Sequence, residues 1–203
     1  MADRVKGWFI TKDRDGDRTV NEQLSGLEPV LERAAQGADV LDLGCAEGLI
    51  SKVLHDAGAQ WVLGLDVRAE AVRWANKRLA VTGKLAFVCA DLNRPQEWGN
   101  DSVRSIEFGS VGGYDIVLAL SIAHKLDDPA AFLTRAAACA RDWLVIRLPG
   151  PVIDRVGAGA AHKRDLAAPV DVPILMRDLG FTPLRECEHP RREWTWIYQR
   201  VAQ

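Results

Sequence analysis

Apolar residues in this chain arrive in short unbroken runs, separated by stretches in which they recur every three or four positions. The runs are Asp39-Val-Leu-Asp-Leu43, Trp61-Val-Leu-Gly-Leu-Asp66, Leu85-Ala-Phe-Val-Cys-Ala90, Tyr114-Asp-Ile-Val-Leu-Ala-Leu120 and Trp143-Leu-Val-Ile-Arg147. Runs of this length read as strands buried on both faces. Between them, Ile50, Val53, Leu54 and Ala57 fall on one helical face, as do Val72, Ala75 and Leu79. Gly58 and Gly83 stop these two helices. A further helix is expected over about 129–140. Another precedes the first strand, over about 20–35, where Leu24, Leu27, Leu31 and Ala34 keep helical spacing and Pro29 kinks or divides it. Residues 93–113 are less regular, with room for a short helix near 102–108.

The C-terminal part follows a different rule. A helix near 171–179 leads into two segments, 181–189 and 193–201, joined by Pro190-Arg191-Arg192. They predict an antiparallel pair that finishes the sheet. The alternation before them implies a parallel sheet with helices on both faces. At 203 residues the chain suits one domain with a full core. Residues 1–37 read as an N-terminal lid and helix, and 38–203 as the α/β core.

The most informative stretch is Asp39-Val-Leu-Asp-Leu-Gly-Cys-Ala-Glu-Gly-Leu-Ile50, a strand, a glycine turn and a helix start. The strand after it ends in the lone carboxylate of Asp66. This pattern predicts a nucleoside-bearing ligand at the carboxyl edge of the sheet. Gly44 and Gly48 bracket Cys45-Ala46-Glu47, so the dinucleotide pattern G-x-G-x-x-G is absent. A pyrophosphate disfavours carboxylates at this turn, whereas Asp42 and Glu47 suit a ligand with positive charge. S-adenosyl-L-methionine, a sulfonium with an amine, fits that description.

Through Asp42-Leu-Gly44-Cys-Ala46-Glu-Gly48 the chain resembles the class I S-adenosylmethionine-dependent methyltransferases, with Ala46 in place of the middle glycine. The resemblance runs from about residue 38 to the C-terminus and implies a Rossmann-like, seven-stranded, mostly parallel sheet. Its order would be 3-2-1-4-5-7-6, with an antiparallel last strand. It also implies roles. Asp42, Gly44, Cys45, Ala46 and Gly48 would shape the turn around the methionine end of the cofactor. Asp66 would accept the ribose hydroxyls and Val67 would pack on the adenine. Asp91 would accept from the adenine amine and Leu92 would offer its N–H to the ring. Leu120 would close the site at the tip of strand four. Asp66 has a competing reading as a cap on the next helix, and Asp91 as a turn residue. Arg18 would pair with the cofactor carboxylate from the N-terminal lid, or else be a solvated surface group.

The methyl acceptor is read from the end of strand four, Leu120-Ser-Ile-Ala-His124-Lys-Leu-Asp-Asp-Pro129. The N-P-P-Y tetrapeptide of adenine and glutamine methylation is missing, as is a Pro-Cys nucleophile for cytosine. The Lys-Asp-Lys-Glu set of ribose enzymes cannot be assembled. His124 is the candidate general base for a hydroxyl or amine acceptor. The same run resembles the L-E-H-x-x-D-P segment of small-molecule methyltransferases, whose histidine is often structural. Arg147, at the tip of strand five, is read as an internal salt-bridge partner or a site for an anionic substrate group. Trp8 and Trp98 are candidates for the acceptor pocket, and Trp194 and Trp196 for the core.

The formal charge of −2 gives no long-range attraction to nucleic acid or anionic membrane. The basic clusters His162-Lys163-Arg164 and Arg191-Arg192 read as solvated loops. Asp13-Arg-Asp15-Gly-Asp17 lacks the glycine and final glutamate of a calcium loop, and no metal is expected. Cys45, Cys89, Cys139 and Cys187 form no C-x-x-C pair, and Cys45 and Cys89 read as small apolar residues of a reduced cytoplasmic protein. No run is long enough to span a bilayer. The leading expectation is direct methyl transfer to an oxygen or nitrogen of a small molecule. An RNA (tRNA) base methyltransferase is the alternative, followed by an NAD(P) oxidoreductase and a non-catalytic module.

Overall fold

The computed structural model describes residues 23–98, 113–149, 171–189 and 193–202. Seven strands form one sheet: β1 (Asp39–Leu43), β2 (Trp61–Asp66), β3 (Leu85–Cys89), β4 (Tyr114–Leu120), β5 (Ala140–Pro149), β6 (Phe181–His189) and β7 (Glu193–Arg200). Their order is β3-β2-β1-β4-β5-β7-β6. The first five are parallel, and β7 runs antiparallel to both β5 and β6. The expected fold, strand order included, is the one observed. The strand order reverses between β1 and β4, so a crevice opens there at the carboxyl edge.

Side-chain alternation along each strand builds two cores. Leu41, Leu43, Val117, Ala119, Leu144 and Ile146 face one side, where α5 (Pro129–Cys139) and α6 (Val172–Asp178) cover them. Val40, Val62, Ile116, Leu118, Val145 and Ile197 face the other. That side is covered by α1 (Glu28–Ala34), α2 (Leu49–Ala57) and α3 (Ala69–Arg78). With both faces buried, the strands carry apolar residues at consecutive positions, which is why they read as unbroken runs.

One helix is divided, one of the two expected outcomes, and another ends early. The first is divided: Gln23 and Leu24 are helical, Gly26 takes φ +79° in the turn, and α1 restarts at Glu28 with Pro29 in its first turn. Proline needs no N–H there and cannot sit deeper in a helix. Leu27, Val30 and Ala34 are fully buried, so α1 belongs to the core layer. The helix after β2 stops at Arg78, and Gly83 serves instead in the turn between Val81 and Leu85. A four-residue helix, α4 (Pro95–Trp98), follows β3. The short helix expected near 102–108 lies outside the described residues. Among the described residues no helix is long and apolar enough to cross a membrane.

Candidate active site

Every parallel strand ends at one cavity of about 510 Å³. The turn after β1 forms its base. Gly44 and Cys45 donate their N–H groups to the Leu65 carbonyl at 2.8 and 2.9 Å, pinning the turn to β2. Gly44 has φ +80°, and a Cβ there would lie 2.9 Å from Ile122 Cγ1. Only glycine combines that conformation with that approach. Ala46 also has positive φ, 55°, and its N–H donates to Asp66 Oδ2 at 2.9 Å. Gly48 does not line the cavity; it caps α2, and a Cβ there would reach 2.2 Å from Phe87.

Asp42 lines the cavity and is 3 % exposed. Burial raises its pKa from 3.8 to about 6, opposed by the Ser51 hydroxyl, which donates to Oδ2 at 2.6 Å. Nearby Asp66 adds like charge and pushes in the same direction as burial. Asp66 stands at the tip of β2, lines the same cavity, and accepts three hydrogen bonds within the protein. Oδ2 takes the Ala46 N–H, and Oδ1 takes the Arg68 N–H and Nε at 2.9 and 3.2 Å. A carboxylate has about four lone-pair sites, so acceptor capacity remains for a ligand. The helix-start reading of Asp66 is thus realised in part, beside its place in the cavity.

Asp91, Leu92 and Asn93 line the wall after β3, and Val67, 60 % exposed, faces them beyond Asp66. Asp91 accepts the Asn93 N–H at 3.0 Å and lies 3.5 Å from Arg94 Nε, so it is also a turn residue. Leu120, Ser121, Ile122, Lys125 and Leu126 supply the opposite wall. Nine of the ten predicted cofactor residues within the described segments therefore line one cavity: Asp42, Gly44, Cys45, Ala46, Asp66, Val67, Asp91, Leu92 and Leu120. Arg18, Trp8, the 162–164 cluster, Arg191 and Arg192 lie outside the described residues.

Glu47, Trp98 and Cys89 depart from expectation, and the candidate base His124 lies beside the cavity wall. Glu47 does not point at a ligand: it is 1 % exposed and its Oε1 lies 3.6 Å from Arg68. Burial raises its pKa, and the Arg68 charge opposes that rise. Trp98 is not a pocket residue; it is fully buried, donates from Nε1 to the Leu92 carbonyl at 3.0 Å, and packs on Phe132. Cys89 is exposed, since β3 is the edge strand and leaves it uncovered. His124 sits in a 3-10 turn, Ala123–Lys125, with Nδ1 buried; its neighbours Ile122 and Lys125 line the cavity and it does not. Trp194 and Trp196 stack on each other at 6.4 Å, and Trp196 packs against the core.

Sequence reasoning missed a buried polar cluster on the β4–β5–β7 side. Arg147 is 1 % exposed and also lines the cavity. Its Nε donates to Thr195 Oγ1, and its terminal nitrogens donate to the carbonyls of Gln23 and Ser25, all within 2.8 Å. Beside it, Ser121 Oγ donates to Glu193 Oε1 at 3.3 Å. These residues are far apart in sequence and carry no shared spacing; only the sheet order joins them.

Residues 41–142 match the family described as "Methyltransferase domain". The chain belongs to that family. It is 27% identical over 105 residues to a ubiquinone biosynthesis O-methyltransferase of Nitrosospira multiformis, a match covering 52% of this chain and 39% of that protein. A namesake from Sodalis glossinidius is 28% identical over 117 residues, covering 57% and 41%. The chain thus spans about two fifths of the length of these relatives. Among solved structures, magnesium protoporphyrin IX methyltransferase from Synechocystis with bound S-adenosylmethionine is similar in fold. Its TM-score is 0.61 at 22% identity, with 92% of this chain and 87% of that one covered.

Proposed function

We propose that the protein is an S-adenosylmethionine-dependent methyltransferase that transfers a methyl group directly to an oxygen or nitrogen of a small molecule. The observation that carries this reading is the row of three carboxylates, Asp91, Asp66 and Asp42, at the tips of adjacent strands β3, β2 and β1 in one cavity. The donor set fits the cofactor. Asp66 has spare acceptor capacity for a ribose diol, Asp91 for an exocyclic amine, and Asp42 for an ammonium group. Val67 and Leu92 offer apolar surface between them for a planar base. Three carboxylates in the cavity, with Arg68 already paired to Asp66 and Glu47, fit a phosphate-bearing dinucleotide poorly.

When bound, S-adenosylmethionine supplies a methyl group on a sulfonium, already a strong donor, so the protein's work is alignment, exclusion of water and removal of a proton. The turn Gly44–Ala46 positions the amino-acid end, while Leu120, Ile122 and Leu126 form an apolar wall beside it. We place His124 behind that wall as a group that holds the 3-10 turn. The chain is read as one domain in which residues 1–37 extend the 38–203 core, with α1 packed into it. The four free cysteines support a reducing, cytoplasmic setting.

The test has two parts. Calorimetry with S-adenosylhomocysteine should show one site per chain. Methyl transfer from labelled cofactor into a fractionated cell extract should label the metabolite fraction; label in RNA instead would replace the small-molecule reading, and absence of binding would end the methyltransferase one.

A further inference from the structure

The sheet order divides the cavity into two halves. Asp91, Asp66 and Asp42 occupy the β3-β2-β1 half, which the proposed function assigns to the cofactor. The β4-β5-β7 half carries Ser121, Arg147 and Glu193 at its edge. β7 is antiparallel, so its first residue, Glu193, lies at the same edge as the ends of β4 and β5. Resting on the methyltransferase reading, we propose that Ser121 and Glu193 are the acceptor end of the site. Ser121 Oγ binds a phenolic hydroxyl of the methyl acceptor and passes its proton to Glu193.

Two independent observations support this. The first is backbone strain. Ala46 and Ser121 are the non-glycine residues with positive φ among the described residues, both at 55°, and both line the cavity. A side chain in this region is held only when its surroundings fix it, and such residues gather at functional sites. Ser121 is fixed by its N–H, which donates to the Arg147 carbonyl at 2.8 Å. Glycine would adopt this conformation without strain, so the hydroxyl is the group that distinguishes the position.

The second is the acid behind that hydroxyl. Glu193 is 5 % exposed and does not line the cavity, but Ser121 does and donates to it. At 3.3 Å the contact is long for a hydroxyl and carboxylate, as catalytic hydrogen bonds often are before substrate tightens them. A hydroxyl on a cavity-lining residue, bonded to a buried carboxylate, can relay a proton. The acceptor O–H gives its proton to Ser121 Oγ while Ser121 gives its own to Glu193. The acceptor oxygen keeps the electron pair that forms the new bond, and Glu193 ends neutral. The negative charge lost at Glu193 balances the positive charge lost at the sulfonium.

The remaining lining narrows the acceptor. The Arg147 guanidinium is engaged with Thr195 and the Gln23 and Ser25 carbonyls, which fix it at the cavity wall. Leu120, Ile122 and Leu126 border Ser121 with apolar surface. A hydroxyl on a flat apolar body fits: a phenol or a catechol.

The experiment uses the full chain, S121G, S121A and E193Q. Calorimetry with S-adenosylhomocysteine comes first, and all four proteins should bind it within about threefold; failure of the wild-type chain to bind would refute the methyltransferase reading itself. Phenol and catechol are then titrated into the S-adenosylhomocysteine complexes and followed by amide NMR. The Ser121 and Ile122 amides should shift, with affinity about tenfold weaker in S121G and S121A, the loss expected for one hydrogen bond. E193Q should bind the probe within about threefold. Turnover with S-adenosylmethionine and the bound probe should then fall about 100-fold in kcat for E193Q, with KM little changed and the acid limb of the pH profile flattened. S121G should melt a few degrees higher than S121A, since both lose the hydroxyl and only glycine relieves the strain. Absence of probe binding to wild type, wild-type probe affinity in both serine variants, a Tm in S121G no higher than in S121A, or wild-type kcat in E193Q would each overturn the proposal.

Discussion

Asp42 offers the sharpest test of the site, because its charge opposes folding. Its pKa of about 6 lies above the ordinary 3.8, so between those values the folded chain holds a proton that the unfolded chain has released. Stability therefore falls as pH rises through this window and stays low above it. The difference corresponds to about 3 kcal/mol at pH 7, from about 1.4 kcal/mol for each unit of pKa. At pH 4.5 the same two values leave only about 1 kcal/mol. Asparagine removes the charge and can still accept the Ser51 hydroxyl. Asp42→Asn should thus raise Tm by about 6 °C or more at pH 7.5, using about 2–4 °C per kcal/mol for a chain of this size. The gain should shrink to a few degrees at pH 4.5.

Binding should move the other way. An ionised carboxylate that meets a cationic ligand gains a charge-assisted hydrogen bond, worth about 1.5–3 kcal/mol. Asp42→Asn should therefore weaken S-adenosylhomocysteine by about tenfold or more, and wild-type affinity should decline as pH drops below about 6. Thermal unfolding of both proteins across pH, with calorimetry at each point, measures both effects. An Asp42→Asn protein no more stable than wild type at pH 7.5, or a gain that does not shrink on acidification, would refute the burial argument.

Four further outcomes follow from the same geometry. Asp66→Ala strips the Ala46 N–H of its acceptor and should cost about 1–3 kcal/mol in thermal unfolding while weakening S-adenosylhomocysteine at least about tenfold. Gly44→Ala forces an L side chain to φ +80° and into Ile122, a cavity wall, so cofactor affinity should drop about tenfold in calorimetry with a Tm loss of several degrees. Trp98→Ala empties a fully buried site and leaves the Leu92 carbonyl without its indole donor; denaturant unfolding should show a loss of about 3–5 kcal/mol. His124→Ala should leave S-adenosylhomocysteine affinity within about threefold, and loss in that variant of the acid limb of the turnover pH profile would make the histidine the base instead.

Legibility followed chain distance. β1, β2, β4 and their flanking helices were readable because burial on both faces forces apolar runs, and because each site residue at a strand tip sits next to its own strand. Asp42, Gly44, Asp66 and Asp91 needed only their local context to be placed. The Arg147 cluster needed four segments at once. Gln23, Ser25, Ser121, Glu193 and Thr195 meet because β7 inserts between β5 and β6, a fact of topology that no local spacing encodes. Trp98 misled for a related reason: an irregular segment with glycines and a proline reads as exposed, but α4 folds its aromatic against Phe132 and Arg135. Glu47 misled because its sequence position is at a helix start while its side chain turns into the protein toward Arg68.

The same distinction separates the two halves of the cavity by their physics. In the β3-β2-β1 half, the glycine turn and the Asp66 carboxylate are joined by hydrogen bonds between two neighbouring strand ends, so two short segments specify them. In the β4-β5-β7 half, a strained serine, a buried acid and a buried guanidinium hold one another across strands, and no single segment specifies the arrangement. Changes in one strand of that second half must therefore propagate to the others: replacing Thr195 alters what Arg147 binds, and Arg147 in turn fixes Gln23 at the cavity wall and Ser121 through its carbonyl. Substitutions among Ser121, Arg147, Glu193 and Thr195 should therefore couple across strands, and in the cofactor half Asp66 should couple with Asp42 and Ala46.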